Sequence, residues 1–227
     1  MSAGRTPLTR DAVLRAAVAV ADEEGVVALS MRKVAARLGV EAMSLYHHVA
    51  NKDAILDGLV DLVFAEIQLP TRDQDWRDAM RERAASTREV LNRHPWAVAF
   101  LDSRTGPGPA TLRHHDAVIG SLRRGGFDIA GAAQAFAVID AFVYGFVVQE
   151  QALPFDDAGG IEEVAEGLRE QLLPDEYPYL VEMMVDHALQ PGYSYAEEFW
   201  NGLDLILDGL ERVCRGSLVL GDAPGSL

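Results

Sequence analysis

Apolar residues recur at intervals of three and four along most of the chain, and this spacing predicts α-helices. No strand-like alternation of apolar and polar residues stands out, so the sequence predicts an all-α fold. The first helix should run from Arg10 to Glu24, with Thr9 as its N-cap and Gly25 at its end. Its apolar stripe consists of Val13, Ala16, Ala17, Val20 and Ala21.

Residues 30–52 have the pattern of two short helices joined by a tight turn. Ser30 is a suitable N-cap for the first, and Gly39 can adopt the left-handed conformation that ends it. The second is predicted over Glu41–His48. The inward positions are Val34, Ala35, Leu38, Leu45 and Val49. Such a helix-turn-helix can set its second helix into a DNA major groove, although an ordinary helical hairpin shares the pattern.

The remaining sequence predicts a larger helical domain after this N-terminal three-helix unit. Further helices are predicted over residues 51–67, 75–94, 111–124, 129–149, 164–173, 180–187 and 195–213. Pro70 and the polar residues after it place a domain boundary at about residues 68–74. We therefore expect domains at 1–68 and 69–216. Residues 217–227, rich in glycine, serine and proline, are predicted to form a disordered tail.

Residues 129–149 are the most apolar run and reach the length of a membrane span. Gln134 and Asp140 within the run argue against insertion, so we expect a buried helix with one face against a second subunit. Paired with the 195–213 helix, it can form a four-helix bundle across a two-fold axis. Asp140 then requires a bound ligand or a pairing such as one with an arginine, and both alternatives are open.

The charge of the chain is divided very unevenly between its two parts. The net charge is −15, yet residues 1–52 carry seven Lys and Arg against five Asp and Glu. A nucleic-acid binder that uses its whole surface is excluded, whereas one with a basic tip and an acidic body is not. Cys214 is the single cysteine, which excludes an intramolecular disulfide framework. The N-terminus lacks the apolar segment of a signal peptide, so a cytoplasmic location is expected.

Motifs for catalysis are missing from the sequence. There is no phosphate-binding glycine loop, no serine nucleophile elbow and no HExxH pair. The compact cluster His114, His115 and Asp116 has adjacent histidines that would point about 100° apart on a helix, so solvated or capping side chains are predicted. We predict no catalytic residue, no metal site and no cofactor; an all-α hydrolase or metal enzyme is the alternative class.

The N-terminal 60 residues resemble the DNA-binding domain of the tetracycline-repressor (TetR) family. The matching residues are Gly25, Ser30, Arg32, Val34, Ala35, Leu38, Gly39, Val40, Ser44, Leu45, Tyr46, His48, Val49, Asn51, Lys52 and Leu56. This resemblance implies a homodimeric, ligand-responsive transcriptional repressor that binds palindromic double-stranded operator DNA. A small organic effector would favour a state in which the two DNA-binding units are wrongly spaced for the operator.

The resemblance also implies roles for individual residues. By this resemblance Arg32, at the start of the second helix, would contact a base, guanine, through a bidentate pair of hydrogen bonds. The residues implied to face the groove are Ala42, Met43, Ser44 and His47. Those implied to contact phosphates or set the register are Met31, Ser44, Tyr46, His48 and Lys52, although Met31 has no hydroxyl to donate.

The C-terminal part resembles the tetracycline-repressor subgroup through HPWAVAFLDSRTGPGP, RRGGFD and YGFVVQEQ. In that subgroup a histidine and a glutamate help to hold a magnesium–drug complex, and Phe100 and Gln149 stand at the matching positions here. Phe100 cannot coordinate a metal, so no magnesium–tetracycline site is predicted. The effector, cationic or hydrogen-bonding, is expected among Arg83, Thr87, Phe100, Val118, Asp140 and Tyr144.

Overall fold

The computed structural model describes residues 7–101, 106–154, 167 and 173–216, and these residues contain no β-strand. The all-α prediction is confirmed. The helices are α1 (Arg10–Glu24), α2 (Met31–Leu38), α3 (Ala42–Leu45), α4 (Lys52–Glu66), α5 (Trp76–Arg93), α6 (Pro109–Arg124), α7 (Ile129–Ala152), α8 (Pro178–Met183, continuing as a π-helix over Met184–Ala188) and α9 (Tyr195–Cys214). The chain divides into two compact units, one ending at Val143 and the other beginning at Tyr144.

Side-chain caps fix where the N-terminal helices begin. Thr9, Ser30 and Asn51 each accept a hydrogen bond from the backbone N–H three residues later, at 3.1, 3.3 and 2.8 Å. Each bond satisfies a donor that the first helical turn leaves without a partner. Gly39 ends α2 with φ 65° and ψ 35°, a left-handed conformation that a residue without a Cβ adopts at no steric cost. The predicted starts of α1, α2 and α4 and the end of α2 are therefore confirmed.

The apolar faces of α1, α2, α3 and α4 are buried together. The residues at 0–2% exposure include Val13, Ala17, Val20, Ala21, Val34, Ala35, Leu45, Ile55 and Leu59. Two ion pairs on the surface also connect α2 to α1. Lys33 Nζ lies 2.5 Å from Glu24 Oε2, and Arg37 makes two bonds to Glu23 at 2.6 and 2.7 Å. This packing makes the four helices a firm support for the turn between α2 and α3.

A hydrogen-bonded cluster connects α1 to the segment that follows α5. Asp22 Oδ1 accepts from Trp96 Nε1 at 2.7 Å and lies 2.8 Å from His94 Nδ1. The other ring nitrogen of His94 lies 3.4 Å from Glu66 at the end of α4. His94 and Trp96 are 7% and 9% exposed, so these polar bonds are largely shielded from water.

Helix α7 has the length and apolar composition of a membrane-spanning helix. By length and composition alone it could cross a bilayer, with a mean hydropathy of 1.6 over an 18-residue window. Within the first unit, however, Ala132, Ala135, Ile139 and Val143 are fully buried, which is also the property of a core helix. The opposite side is exposed in the single chain and consists of the small apolar residues Ala130, Ala137 and Ala141, with Val138 beside them at 47% exposure. One inward and one outward apolar face is the pattern expected of a helix that also meets a second subunit.

In the second unit, α9 packs against the C-terminal end of α7. Phe146 stacks on Tyr195 with ring centroids 4.9 Å apart and meets Phe199 edge-on at 5.2 Å. The fully buried side of α9 is Phe199, Leu203, Leu207 and Leu210. Ile206 and Val213 are only half-buried, because Leu207 occupies the inward position. The helix predicted at 164–173 and the tail at 217–227 lie outside the described residues, except for helical Gly167.

Candidate nucleic-acid interface and buried polar core

The α2–turn–α3 segment separates a buried apolar side from an outward polar side. Val34, Ala35, Leu45 and Val49 are at most 4% exposed. These side chains fix the orientation of both helices, and the other residues of α3 are exposed or half-buried. The segment therefore presents a defined set of side chains from a rigid frame, as recognition of a duplex groove requires.

All nine residues predicted to contact DNA lie outside the buried core. Five are exposed: Arg32, Met43, Tyr46, His47 and Lys52. Four are half-buried: Met31, Ala42, Ser44 and His48. Met43 is 73% exposed, so its side chain lies where a partner surface can cover it.

The second helix of this segment is shorter than predicted. Regular α-helix covers only Ala42–Leu45, and the sequence prediction of Glu41–His48 was wrong at its C-terminal end. The N–H groups of Tyr46 and His48 bond three residues back, at 3.3 and 2.8 Å, in the tighter 3-10 pattern. Tyr46, His47 and His48 are also weaker helix formers than Ala42, Met43 and Leu45.

The three cations of α2 have different environments. Lys33 and Arg37 are in ion pairs with glutamates of α1. Arg32 is exposed and has no ion-pair or hydrogen-bond partner among the residues that the structure describes. Its guanidinium is the one on this helix that can bind an external acceptor without first breaking an internal pair.

A second group of predicted residues, those assigned to an effector, forms a buried polar core in the first unit. Arg83 and Thr87 on α5 are both 1% exposed, and Asp140 on α7 is 7% exposed. Arg83 Nη2 donates to Asp140 Oδ1, and Thr87 Oγ1 donates to the Arg83 carbonyl at 2.8 Å. The arginine pairing that the sequence left open for Asp140 is thus present, and it balances the charge of that carboxylate.

The other three residues of the predicted effector set are placed less uniformly. Val118 on α6 is fully buried in the first unit, and Phe100 is half-buried. Tyr144 is half-buried and belongs to the second unit. Gln149, also in the second unit, accepts a hydrogen bond from Tyr195 at 3.1 Å. No group of three His, Cys, Asp or Glu side chains in the described ranges could hold a metal ion.

His114 is the main feature of the core that sequence reasoning missed. It was predicted to be solvated or capping, and this was wrong: its side chain is fully buried, with the Phe64 ring 5.1 Å away. Burial in this apolar surrounding lowers the pKa of His114 to about 3, helped by the charges of Arg83 and His115. The imidazole is therefore neutral at physiological pH, with one N–H donor and one acceptor nitrogen.

Two buried polar groups in this core have no partner within the described part of the chain. One is the His114 imidazole, whose two ring nitrogens both lack a partner there, and the other is the Ser121 hydroxyl. His114, Val118 and Ser121 stand at i, i+4 and i+7, so they share the inward face of α6. This spacing was readable from the sequence, and a buried polar group without a partner costs about 1–3 kcal/mol. The core thus contains hydrogen-bonding groups, both donor and acceptor, that the described part of the chain does not satisfy.

Two family models match the chain and together cover most of it. Residues 13–59 match "Bacterial regulatory proteins, tetR family", and residues 69–214 match "Tetracyclin repressor-like, C-terminal domain". The first match contains α2, α3 and most of the exposed residues described above. The second contains α5, α6 and α7, and with them the buried polar core.

Known proteins resemble the chain over most of its length. An HTH-type transcriptional regulator of Saccharopolyspora erythraea is 40% identical, covering 76% of this chain and 73% of its own. Tetracycline repressor protein class A from transposon 1721 of Escherichia coli is 34% identical, covering 91% and 92%. The solved structure of Streptomyces coelicolor ActR in complex with actinorhodin has a TM-score of 0.78 at 27% identity, covering 92% of this chain and 97% of its own.

Proposed function

This chain belongs to the TetR family of bacterial regulatory proteins, and on that premise we propose that it is a homodimeric transcriptional repressor. It binds palindromic operator DNA and is released by a small organic effector. The observation that carries this proposal is the exposed face of α2 and α3, held outward by fully buried apolar residues. We assign residues 1–68 to DNA binding and 69–216 to effector binding and dimerisation. A regulator of this kind acts in the cytoplasm, where the operator is.

On operator DNA, Arg32 is proposed to contact a base edge in the major groove. Its exposure and lack of an internal ion pair support this role. The groove-facing residues proposed are Ala42, Met43, Ser44 and His47, and the phosphate contacts proposed are Met31, Ser44, Tyr46, His48 and Lys52. The weakest of these assignments is Met31, which is half-buried and cannot donate a hydrogen bond.

The effector is proposed to bind at the buried polar core of the first unit around Arg83, Thr87, Val118 and Asp140, with Phe100 as a further contact. The predicted contact with Tyr144, which belongs to the second unit, stays a prediction. A structural relative, ActR, is described in complex with actinorhodin, and a sequence relative is a tetracycline repressor. Because Arg83 balances Asp140 here, a cationic effector has no unpaired carboxylate to bind. We therefore favour an uncharged, hydrogen-bonding organic molecule, with neutral His114 as an additional contact.

Magnesium is not expected to accompany this effector. Phe100 and Gln149 occupy the positions that resemble the histidine and glutamate of the tetracycline-repressor subgroup. The phenyl ring of Phe100 has no donor atom for a metal, and the Gln149 amide, which accepts from Tyr195, carries no charge. An effector that binds through its own hydrogen-bonding groups fits this residue set better than a metal chelate does.

The proposal is tested by recovering genomic fragments with the purified protein and measuring affinity for the recovered duplex by fluorescence anisotropy. Arg32→Ala should weaken binding by about 1–3 kcal/mol, because a bidentate base contact is lost. Arg15→Ala, which removes an exposed arginine on α1 instead of α2, is the matched control and should leave affinity nearly unchanged. The proposal would be contradicted if the protein recovered and bound no genomic duplex at low salt. It would also be contradicted if the Arg32→Ala variant bound the recovered duplex with the same affinity as the Arg15→Ala control.

A further inference from the structure

Asp61 on α4 caps a helix that begins almost fifty residues later. Its Oδ1 atom accepts from the backbone N–H groups of Ala110 and Thr111, both at 2.9 Å, and from Thr111 Oγ1 at 3.1 Å. The N-cap position of α6 is Gly108, which has no side chain with which to cap. A carboxylate from another helix thus satisfies the donors of the first turn and complements its partial positive charge.

The approach of α4 to α6 depends on Gly108. A Cβ added there would lie 2.2 Å from Asp61 Cγ and 2.4 Å from its Oδ1, well inside contact distance. Any other residue at position 108 would displace the carboxylate from the hydrogen bonds that it makes. The contact therefore depends on two residues, Asp61 as the acceptor on α4 and Gly108, which has no side chain, before α6.

The two helices joined in this way belong to the two proposed functional parts. α4 is packed against α1 and its N-cap follows directly on the α2–α3 segment, whereas α6 presents His114, Val118 and Ser121 to the buried polar core. Phe64, one turn after Asp61 on α4, contacts the His114 ring. A displacement of α6 therefore reaches α4 through a hydrogen-bonded end and a packed ring. The link from Asp22 to His94 and Trp96, by contrast, does not involve α6.

We infer that Asp61 is the positioning residue that couples the effector core to the orientation of the DNA-binding helices. This rests on the proposed function above. Apolar contacts between helices have little directional preference. Without the three hydrogen bonds to Asp61, α6 could therefore shift on effector binding without moving α4. With them, the first turn of α6 and the middle of α4 move as one body. The effector then changes the spacing of the two recognition segments in a dimer.

Coupling between two sites is reciprocal, so the inference can be tested without knowing the effector. If movement of α6 alters DNA binding, DNA binding must in turn shift the equilibrium between the positions of α6, and the local stability of α6 changes with that equilibrium. Hydrogen exchange of the full-length protein, with and without the operator duplex recovered above, reports that stability. The peptides to compare cover residues 112–122, which exclude the two amides that Asp61 itself bonds.

In the wild-type protein, bound duplex should change exchange in residues 112–122 by about fivefold or more, the lower range of allosteric coupling. Asp61→Ala should bind the duplex but lose this change, and Gly108→Ala, which displaces the carboxylate, should lose it too. Asp61→Asn, which retains an oxygen at the same place, should restore part of it. Asp57→Ala is the matched control and should keep the full change. Asp57 lies one turn earlier on α4, and both aspartates line one cleft of about 350 Å³.

The outcomes separate the two proposals. A wild-type protein that binds no duplex contradicts the proposed function. A wild-type protein that binds duplex without any change in α6, or an Asp61→Ala variant that keeps the full change, overturns the coupling role and leaves Asp61 as a simple helix cap. Should Asp61→Ala fail to fold, Gly108→Ala and Asp61→Asn give the same comparison.

Discussion

Asp140→Ala should destabilise the protein by about 3–5 kcal/mol, the usual effect of removing one member of a buried ion pair. The Arg83 side chain, completely inaccessible to water, would keep its charge in an apolar environment without the carboxylate that now balances it. Urea denaturation at pH 7 and fixed protein concentration measures the change. Because the pair lies in the proposed effector core, the substitution should also reduce effector affinity.

The double variant Arg83→Met with Asp140→Leu distinguishes the cost of an orphaned charge from the value of the pair. Replacing both partners by apolar residues of similar size is often neutral, so most of the lost stability should return. Asp11→Ala is the control on an exposed pair, whose side chains are 73% and 59% accessible, and it should change stability by less than about 1 kcal/mol. An Asp140→Ala variant no less stable than this control would show that the buried pair is not formed in solution.

Acid should destabilise the protein through His114 well before most carboxylates are protonated. The pKa of His114 is about 3 in the folded chain, against an ordinary value of 6.5, because burial disfavours the charged imidazolium. Between these two values the unfolded chain binds the proton and the folded chain does not. The contribution of His114 is therefore complete above pH 6.5 and is lost as the pH falls toward 3, by up to about 1.4 kcal/mol per pH unit.

The variant His114→Leu tests this assignment. Its unfolding free energy should depend less steeply on pH between 6.5 and 4 than that of the wild type, since no imidazole remains to be protonated on unfolding. His47→Gln removes an exposed histidine from the α3 turn and should leave the slope as it is in the wild type. Equal slopes for His114→Leu and the wild type would place His114 in contact with water rather than in the core.

Features set by neighbouring residues could be predicted from the sequence. Thr9, Ser30 and Asn51 cap helices because their side-chain oxygens reach the N–H three residues away, and Gly39 ends α2 because its own backbone permits a left-handed turn. The buried side of α2 and α3 also followed from helical spacing, except that Leu38, predicted to lie inward, is only half-buried. The C-terminal end of α3 did not, because Tyr46, His47 and His48 continue the chain in a turn that the apolar pattern cannot distinguish from a helix.

Features set by distant residues could not be predicted in the same way. Arg83 and Asp140 are 57 residues apart, and Asp61 is 49 residues from Ala110, so neither pairing leaves a local pattern. His114 is an intermediate case. It stands four and eight residues before Val118 and Leu122, the spacing of one helix face, but a histidine beside another histidine and an aspartate was interpreted as polar surface.

The claim that a symmetric pair of these chains binds two half-sites is tested most directly by changing the spacing of the operator. Inserting five base pairs between the half-sites turns one of them by about half a helical turn, so the two recognition segments can no longer enter both grooves. Anisotropy measurements should show affinity reduced by at least about tenfold, because one half-site must be released. Equal affinity for the original and the lengthened duplex would contradict the account.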